Sequence, residues 1–409
     1  MAQLTTLNPA SMRLVMESVP FLKQHGEKIT TVFYQKLFSN HPELLNLFNQ
    51  THQKQKQQQK ALAEMVMSAA MHLQNLEAIA PAITRIAHKH RSLDVKPEQY
   101  PIVGENLLAA IKEVLGEKAT PEILNAWAEV YSFLADQFIR IETQLAEELL
   151  QQPGGWTGFR EFVIDKKEKE SDVITSFYLV PKDGKAICSF QPGQYISVKM
   201  DIPGEKITHI RQYSLSDSPS KPYYRISVKR EDGNDQFPAG IVSTFLHNRI
   251  HEGDSLMISA PAGDFVLQEK ENRPVVLISG GVGLTPLVSM LNTLAERRHD
   301  VPVTFIHAAL NSRVHAMKDH LRNLAEQHDN IRYFVCYEQP SDEDRRLKNF
   351  DKEGYLDLDW LRSLIPSPEA DFYFCGPVPF MKVVKSLLGQ LGVKDTDMHY
   401  EIFGSAIPI

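Results

Sequence analysis

His90 lies in the segment Pro81–Leu93, PAITRIAHKHRSL. At about 100° per residue of an α-helix it falls only about 20° from Ile83, with Ile86 and Ala87 on either side. An imidazole so placed points along an apolar face. A buried polar group needs a partner, so this one meets either a hydrogen-bonding group of the core or a metal ion. His88, about 140° from Ile83, is expected at solvent or on a polar rim. A second pattern is Ser279-Gly280-Gly281-Val282-Gly283-Leu284-Thr285-Pro286, which follows the apolar run Val275–Ile278 and precedes a helical stretch. Glycines there let the backbone approach a dinucleotide closely, and the helix start favours its pyrophosphate. Pro286 stands where the last glycine of GxGxxG would be, and proline suits a first helical position. A third is Gly240-Ile241-Val242-Ser243, a loop into a helix whose first N–H groups can take a phosphate.

These residues need three kinds of scaffold. Residues 1–150 carry helical periodicity almost throughout; Pro42 and Pro121 mark first turns, and Thr120 is placed to N-cap the second. Gln53–Lys60, QKQKQQQK, reads as a solvated helix start. After Pro153-Gly154-Gly155 come short β-branched or alternating runs, Phe159–Lys166, Val173–Val180, Tyr195–Lys199 and Tyr224–Lys229. Turn residues separate them, as in an antiparallel sheet or barrel. From Arg273 the apolar runs Val275–Ile278, Val303–Ile306, Ile331–Cys336 and Phe372–Cys375 alternate with helical stretches Leu287–Arg297, Ala316–His328 and Phe380–Leu391. That alternation predicts a parallel α/β sheet. The expected domains are 1–150, 155–268 and 270–409.

The 409 residues agree with two or three cores at about 150 residues each. With 43% hydrophobic and 23% charged residues, collagen-like, disordered and coiled-coil chains are excluded. A net charge of -7 without a long basic run argues against a nucleic-acid partner. Cys188, Cys336 and Cys375 are far apart and form no CxxC, which excludes a disulfide framework or zinc site and suits a reducing compartment. Met1–Met16 has no signal-peptide pattern. The long uncharged stretch after Arg273 is broken by Gly280, Gly281, Gly283 and Pro286, so strand, loop and helix is expected rather than a membrane span. A cytoplasmic monomer without stable membrane insertion is the expectation.

Further landmarks give the helical third a family resemblance. Tyr34 follows Val32-Phe33, Phe48 ends the helical segment from Pro42, and Gln58 and Leu62 stand i,i+4 on the next helix. This order, with His90, resembles a bacterial globin. The resemblance implies that His90 is the proximal ligand of haem iron and that Phe48 wedges the haem. Tyr34, Gln58 and Leu62 take the distal, oxygen-facing positions. Tyr100 and Glu142 take the places of the family's network behind the ligand, which fixes the imidazole's tautomer and raises its basicity. Lys89 falls at the haem–flavin edge.

The remaining two thirds resemble the ferredoxin-reductase-like flavoproteins. Arg211-Gln212-Tyr213-Ser214-Leu215 has their RxYSL pattern, supported by Pro192-Gly193-Gln194-Tyr195, Gly240–Ser243 and Ala260–Phe265. The resemblance implies that Tyr195, Arg211, Gln212, Tyr213, Ser214, Gly240, Val242 and Ser243 bind FAD. It extends to the terminal segment His399–Gly404, adding Glu401, Ile402, Phe403, Gly404 and Ser405; Ile402 stands where many such proteins have Cys. GxGxTP is the family's dinucleotide loop, so Gly280, Gly281, Val282, Gly283, Leu284 and Thr285, with the turn Cys375-Gly376-Pro377, are expected at NAD(P). The whole chain is similar to the flavohaemoglobins: an all-α globin domain, an antiparallel β-barrel FAD domain and a parallel α/β NAD(P) domain. That implies haem b, FAD and NADH or NADPH as cofactors. It implies hydride transfer to FAD, single electrons onward to haem, and oxidation of NO by O₂ to nitrate. A lipid in the distal pocket is an open occupant. Reduction of other acceptors such as alkyl hydroperoxides, and O₂ or NO sensing, remain alternatives at this stage. So does coenzyme choice: Arg313 in Asn311-Ser312-Arg313 is either a cation that would favour a 2′-phosphate or a plain surface residue.

Overall fold

A computed structural model describes residues 7–48, 57–233, 235, 238–268, 273–297, 300–365 and 367–404, without the side chains of 57–61, 64 and 76. The chain packs into two compact units, 1–159 with 199–210, and 160–198 with 211–409.

The first unit is helical. Helix α1 spans Pro9–Asn40, opened by the Asn8 side chain, which accepts the Ala10 N–H at 2.9 Å. Pro20 lies within it, and the helix continues through that position. The segment after Pro42 is a 3₁₀ turn, Pro42–Leu47, with Phe48 just beyond it. Then follow α2 Gln57–Met71, α3 Ala80–Leu93, α4 Gln99–Leu115 and α5 Pro121–Gln151. Thr120 caps α5 through the Ile123 N–H at 3.4 Å, as its sequence position predicts. The core gathers Val15, Phe33, Leu37, Ile111, Trp127 and Val130 between α1, α4 and α5. A smaller cluster, Ala69, Ile79 and Ile83 with Phe138 and Ile141, seats α3 on α5.

An antiparallel sheet contains β1 Phe159–Lys169, β2 Ile174–Pro181, β3 Tyr195–Met200, β4 His209–Ser214, β5 Tyr224–Lys229 and β6 Ser255–Ser259, with helix α6 Ile241–Arg249 between the last two strands. Its order is β4-β3-β6-β1-β2-β5. The outer strands meet: Leu215 bridges Ile226, and the Ser216 N–H donates to the Arg225 carbonyl at 2.8 Å. That contact closes the sheet into a barrel and covers two otherwise open edges.

The parallel sheet runs β7 Val275–Gly280, β8 Val303–Ala309, β9 Ile331–Tyr337, β10 Lys352–Glu353, β11 Asp371–Cys375 and β12 Met398–Glu401, in the order β10-β9-β8-β7-β11-β12. Helices α7 Leu284–Glu296, α8 Lys318–Gln327, α9 Asp342–Leu347, α10 Leu358–Leu364 and α11 Val378–Gln390 connect its strands. Successive residues of β7 bury on opposite faces. Leu277 packs with Leu287, Leu291 and Leu321; Ile278 packs with Leu361, Met381 and Val384. The strand order reverses between β7 and β11, and such a switch point leaves a crevice at the strands' carboxyl ends.

Two histidines lie buried in this domain, and burial drives His307 down to about 3 and His315 well below its ordinary 6.5. Unfolded imidazoles take protons below about pH 6.5. The folded ones stay neutral, so stability falls as pH drops from 6.5 toward 3. The midpoint of urea unfolding should therefore fall on acidification through this window. A His307→Leu variant should show a shallower fall; an identical slope would remove His307 from the acid response.

Candidate functional site

In the helical unit three helices converge on one imidazole. His90 projects from α3, Tyr100 from the first turn of α4 and Glu142 from α5. His90 Nδ1 lies 2.8 Å from Glu142 Oε1 and 2.9 Å from the Tyr100 hydroxyl oxygen, and Tyr100 donates to the same Oε1 at 2.6 Å. Burial, then the neighbouring Glu142, push the Tyr100 pKa well up, so its phenol keeps its proton. The Tyr131 hydroxyl braces the group by donating to the Tyr100 carbonyl at 2.6 Å, and the Phe138 ring lies 5.8 Å from His90. Nδ1 thus donates to the carboxylate, and the ring's lone pair resides on Nε2. Nε2 makes no hydrogen bond among the described residues, which fits a metal ligand held by a carboxylate from behind.

Tyr34 is buried on α1, with ring centroids of Phe33, Phe38 and Phe48 at 4.8, 5.6 and 5.7 Å. Leu62 packs into the same core. The Gln58 side chain lies outside the described residues. Burial lowers the Lys89 pKa, and its ammonium has no hydrogen-bond or ionic partner among the described residues. His88, expected at solvent or on a polar rim, is partly exposed.

In the barrel, Tyr195 and Ala262 exchange two backbone hydrogen bonds at 2.8 Å. Gly263 holds φ 118 against the Tyr195 ring, a conformation that needs glycine. Arg211 and Tyr213 are half-buried neighbours on β4; burial lowers the guanidinium pKa and raises that of the phenol. Gln212 is exposed. The Ser214 hydroxyl is buried without a partner among the described residues, as expected of a group reserved for a ligand. Helix α6 starts after Gly240 with no capping side chain, which leaves its first N–H groups suited to a phosphate. Val242 is buried, and the Ser243 hydroxyl folds back, accepting the Glu231 N–H at 3.1 Å and donating to the Gly240 carbonyl at 3.2 Å. A phosphate there meets backbone rather than this hydroxyl.

At the parallel sheet's switch point, β11 pairs through Cys375 with Ser279 of β7 on one side and Glu401 of β12 on the other. The glycine loop, the CGP turn and Glu401 therefore stand side by side. Any Cβ on Gly283 would strike the Cys375 carbonyl, and those on Gly280 and Gly376 would meet the Phe380 ring. Phe380 is a wall the sequence did not announce: a single aromatic in an amphipathic helix reads as core. Val282 caps the turn by accepting the Thr285 hydroxyl at 3.1 Å, and Leu284 is buried. The Cys375 thiol is fully buried, and burial, then Glu401, raise its pKa. Strand β12 stops at Glu401, so Ile402, Phe403 and Gly404 lie beyond it; Ser405 is outside the described residues. Arg313 is not a free cation: its Nε donates to Asp172 Oδ2 at 2.8 Å.

Comparison with known proteins agrees with this layout. The globin family matches residues 31–138, the oxidoreductase FAD-binding domain 161–267 and the oxidoreductase NAD-binding domain 277–386. A flavohemoprotein of Halalkalibacterium halodurans is 58% identical over 98% of both chains. The structure of a flavohemoglobin from Malassezia yamatoensis with bound FAD and heme, 27% identical, superposes with a TM-score of 0.84 over 97% of this chain and 100% of that one. The flavohem-like FAD/NAD-binding domain of nitric oxide dioxygenase from Vibrio cholerae is 42% identical, with a TM-score of 0.55 over 60% of this chain and 98% of its own. Among the described residues no helix is long and apolar enough to cross a membrane.

Proposed function

Because the chain belongs to the flavohemoprotein family, we propose that it is an NAD(P)H-dependent nitric oxide dioxygenase that removes NO as nitrate. Its cofactors are haem, FAD and a nicotinamide dinucleotide. When bound, the dinucleotide supplies hydride, FAD the step from electron pairs to single electrons, and haem the affinity for O₂.

The chain's own residues prepare each place. His90 offers Nε2 to iron, with Glu142 and Tyr100 fixing its tautomer. Tyr34, with Leu62 and Phe48, lines the distal side and provides a hydroxyl donor; Lys89 provides a cation beside the ligand. Arg211, Tyr195, Gln212, Tyr213 and Ser214, the start of α6 and the segment from Glu401 to Ser405 hold FAD. Gly280–Thr285 and Cys375–Pro377 hold the coenzyme. The observation that carries the reading is the Glu142–His90–Tyr100 group. An imidazole backed by a carboxylate donates more electron density than one backed by a neutral acceptor, and that favours oxygen activation over reversible storage. A reductase on the same chain suits a turnover enzyme.

Steady-state NADH oxidation by the holoprotein tests this against other acceptors. Turnover with NO and O₂ together should far exceed that with an alkyl hydroperoxide; the opposite ranking would make the protein a peroxide reductase. Tyr34→Phe should speed O₂ loss about tenfold, the effect of roughly 1.4 kcal/mol from one hydrogen bond, and lower NO turnover at full haem content. An unchanged O₂ off-rate would remove Tyr34 from this role.

A further inference from the structure

Beneath the glycine loop lies a connected set of polar side chains that the chemistry above does not use. Ser279, the residue before Gly280, is fully buried, and its hydroxyl is 2.7 Å from His307 Nδ1. His307 lies on β8, and its ring centroid is 4.3 Å from that of His315, in the loop that follows β8. His315 Nδ1 lies 2.8 Å from the Tyr337 hydroxyl and Nε2 2.7 Å from that of Tyr333, both on β9. The contacts thus run across three adjacent strands. Both histidines are 1% exposed.

A neutral imidazole has one N–H and one lone pair. At His315 one tyrosine therefore donates and the other accepts, which holds the ring between the two phenols. At His307 the pairing is incomplete: Nε2 is buried and has no partner among the described residues. An apolar side chain of similar shape would fill this place without leaving a polar atom unsatisfied. Stability alone therefore does not account for a histidine here. What the pair does control is backbone. Ser279 leads directly into Gly280–Gly283, and His315 sits within the loop between β8 and α8. In a sheet of this kind those are the two loops that meet a bound dinucleotide, at its pyrophosphate and at its adenosine ribose.

We propose that His307 and His315 are positioning residues for the nicotinamide coenzyme, holding the glycine loop and the β8–α8 loop in one fixed relation. The proposal rests on the dinucleotide-site reading above. The test is anaerobic stopped-flow reduction of FAD in the holoprotein at varied NADH, with FAD and haem content checked for each variant. His307→Leu should raise the NADH concentration for half-maximal rate about tenfold while changing the limiting rate little, the signature of lost binding rather than lost chemistry. His307→Asn, whose amide can face Ser279 in place of Nδ1, should recover much of that loss. If His307→Leu does not fold with its cofactors, Ser279→Ala cuts the same bond with less disturbance and should shift the half-saturation in the same direction. Unchanged half-saturation in a folded variant, or a loss in His307→Leu that His307→Asn does not lessen, would overturn the proposal. Wild-type flavin that neither NADH nor NADPH reduces would overturn the coenzyme reading beneath it.

Discussion

His90→Ala should yield a folded, yellow protein that keeps FAD, binds haem weakly or not at all, and loses NO turnover by well over the roughly 100-fold typical of losing a group that only supports a ligand. The loss should be large because Glu142 already anchors Nδ1, which under the proposal leaves Nε2 as the nitrogen offered to iron. The fold should survive, since Tyr100 and Glu142 still hold each other at 2.6 Å when the ring is gone. Glu142→Gln makes the graded comparison. It keeps the shape but removes the charge behind Nδ1, so haem should stay while turnover drops about 10- to 100-fold. Arg211→Ala should give the complementary phenotype, a red protein depleted in FAD, because a charge-assisted contact worth about 1.5–3 kcal/mol is lost. Absorbance spectra of the purified variants check the cofactor content of all three, and NO turnover checks the graded loss in Glu142→Gln. A His90→Ala protein with the wild-type haem spectrum would refute the ligand assignment.

Gly283→Ala should nearly abolish flavin reduction by coenzyme. A methyl group at this position overlaps the carbonyl of Cys375, and backbone cannot give way as a flexible side chain can. The loop must withdraw from the CGP turn, which displaces two of the three elements gathered at the switch point. Overpacking of this kind costs typically about 1–3 kcal/mol, so the domain should persist with the crevice deformed. The rate of FAD reduction at low NADH should fall about 100-fold, while dithionite still reduces flavin and haem normally. Gly281→Ala provides a milder contrast. Its Cβ meets nothing within 4 Å, and its φ of 53 costs only the left-handed strain of about 1–2 kcal/mol. Equal coenzyme kinetics in Gly283→Ala and wild type would mean that the loop does not touch the dinucleotide.

The sequence revealed most where one residue's chemistry coincides with a local pattern. His90 could be placed on an apolar face by counting, because helical phase is local. Thr120 could be identified as a cap for the same reason. Val275–Ile278 and the glycines after it marked a strand, loop and helix without tertiary information. Less legible were features made by distant segments. The Ser243 hydroxyl is taken by backbone at Glu231, twelve residues away, which no local rule anticipates. Phe380 meets Gly280 and Gly376, and Ser279 meets His307, only once the parallel strands align. Arg313 could be read as a phosphate contact or a surface residue; its ion pair with Asp172, in the turn between β1 and β2, appears only in the folded chain.

In our reading this chain consumes NO by an O₂-dependent reaction fed by NAD(P)H. An NO-electrode trace on haem- and FAD-replete protein with NADH, recorded in air and then without O₂, tests it most directly. Rapid NO loss in air with nitrate as product, and little loss without O₂, is the predicted result. Protein that reduces its own haem but consumes no NO in the presence of O₂ would contradict the claim while leaving the fold and the three cofactor sites in place.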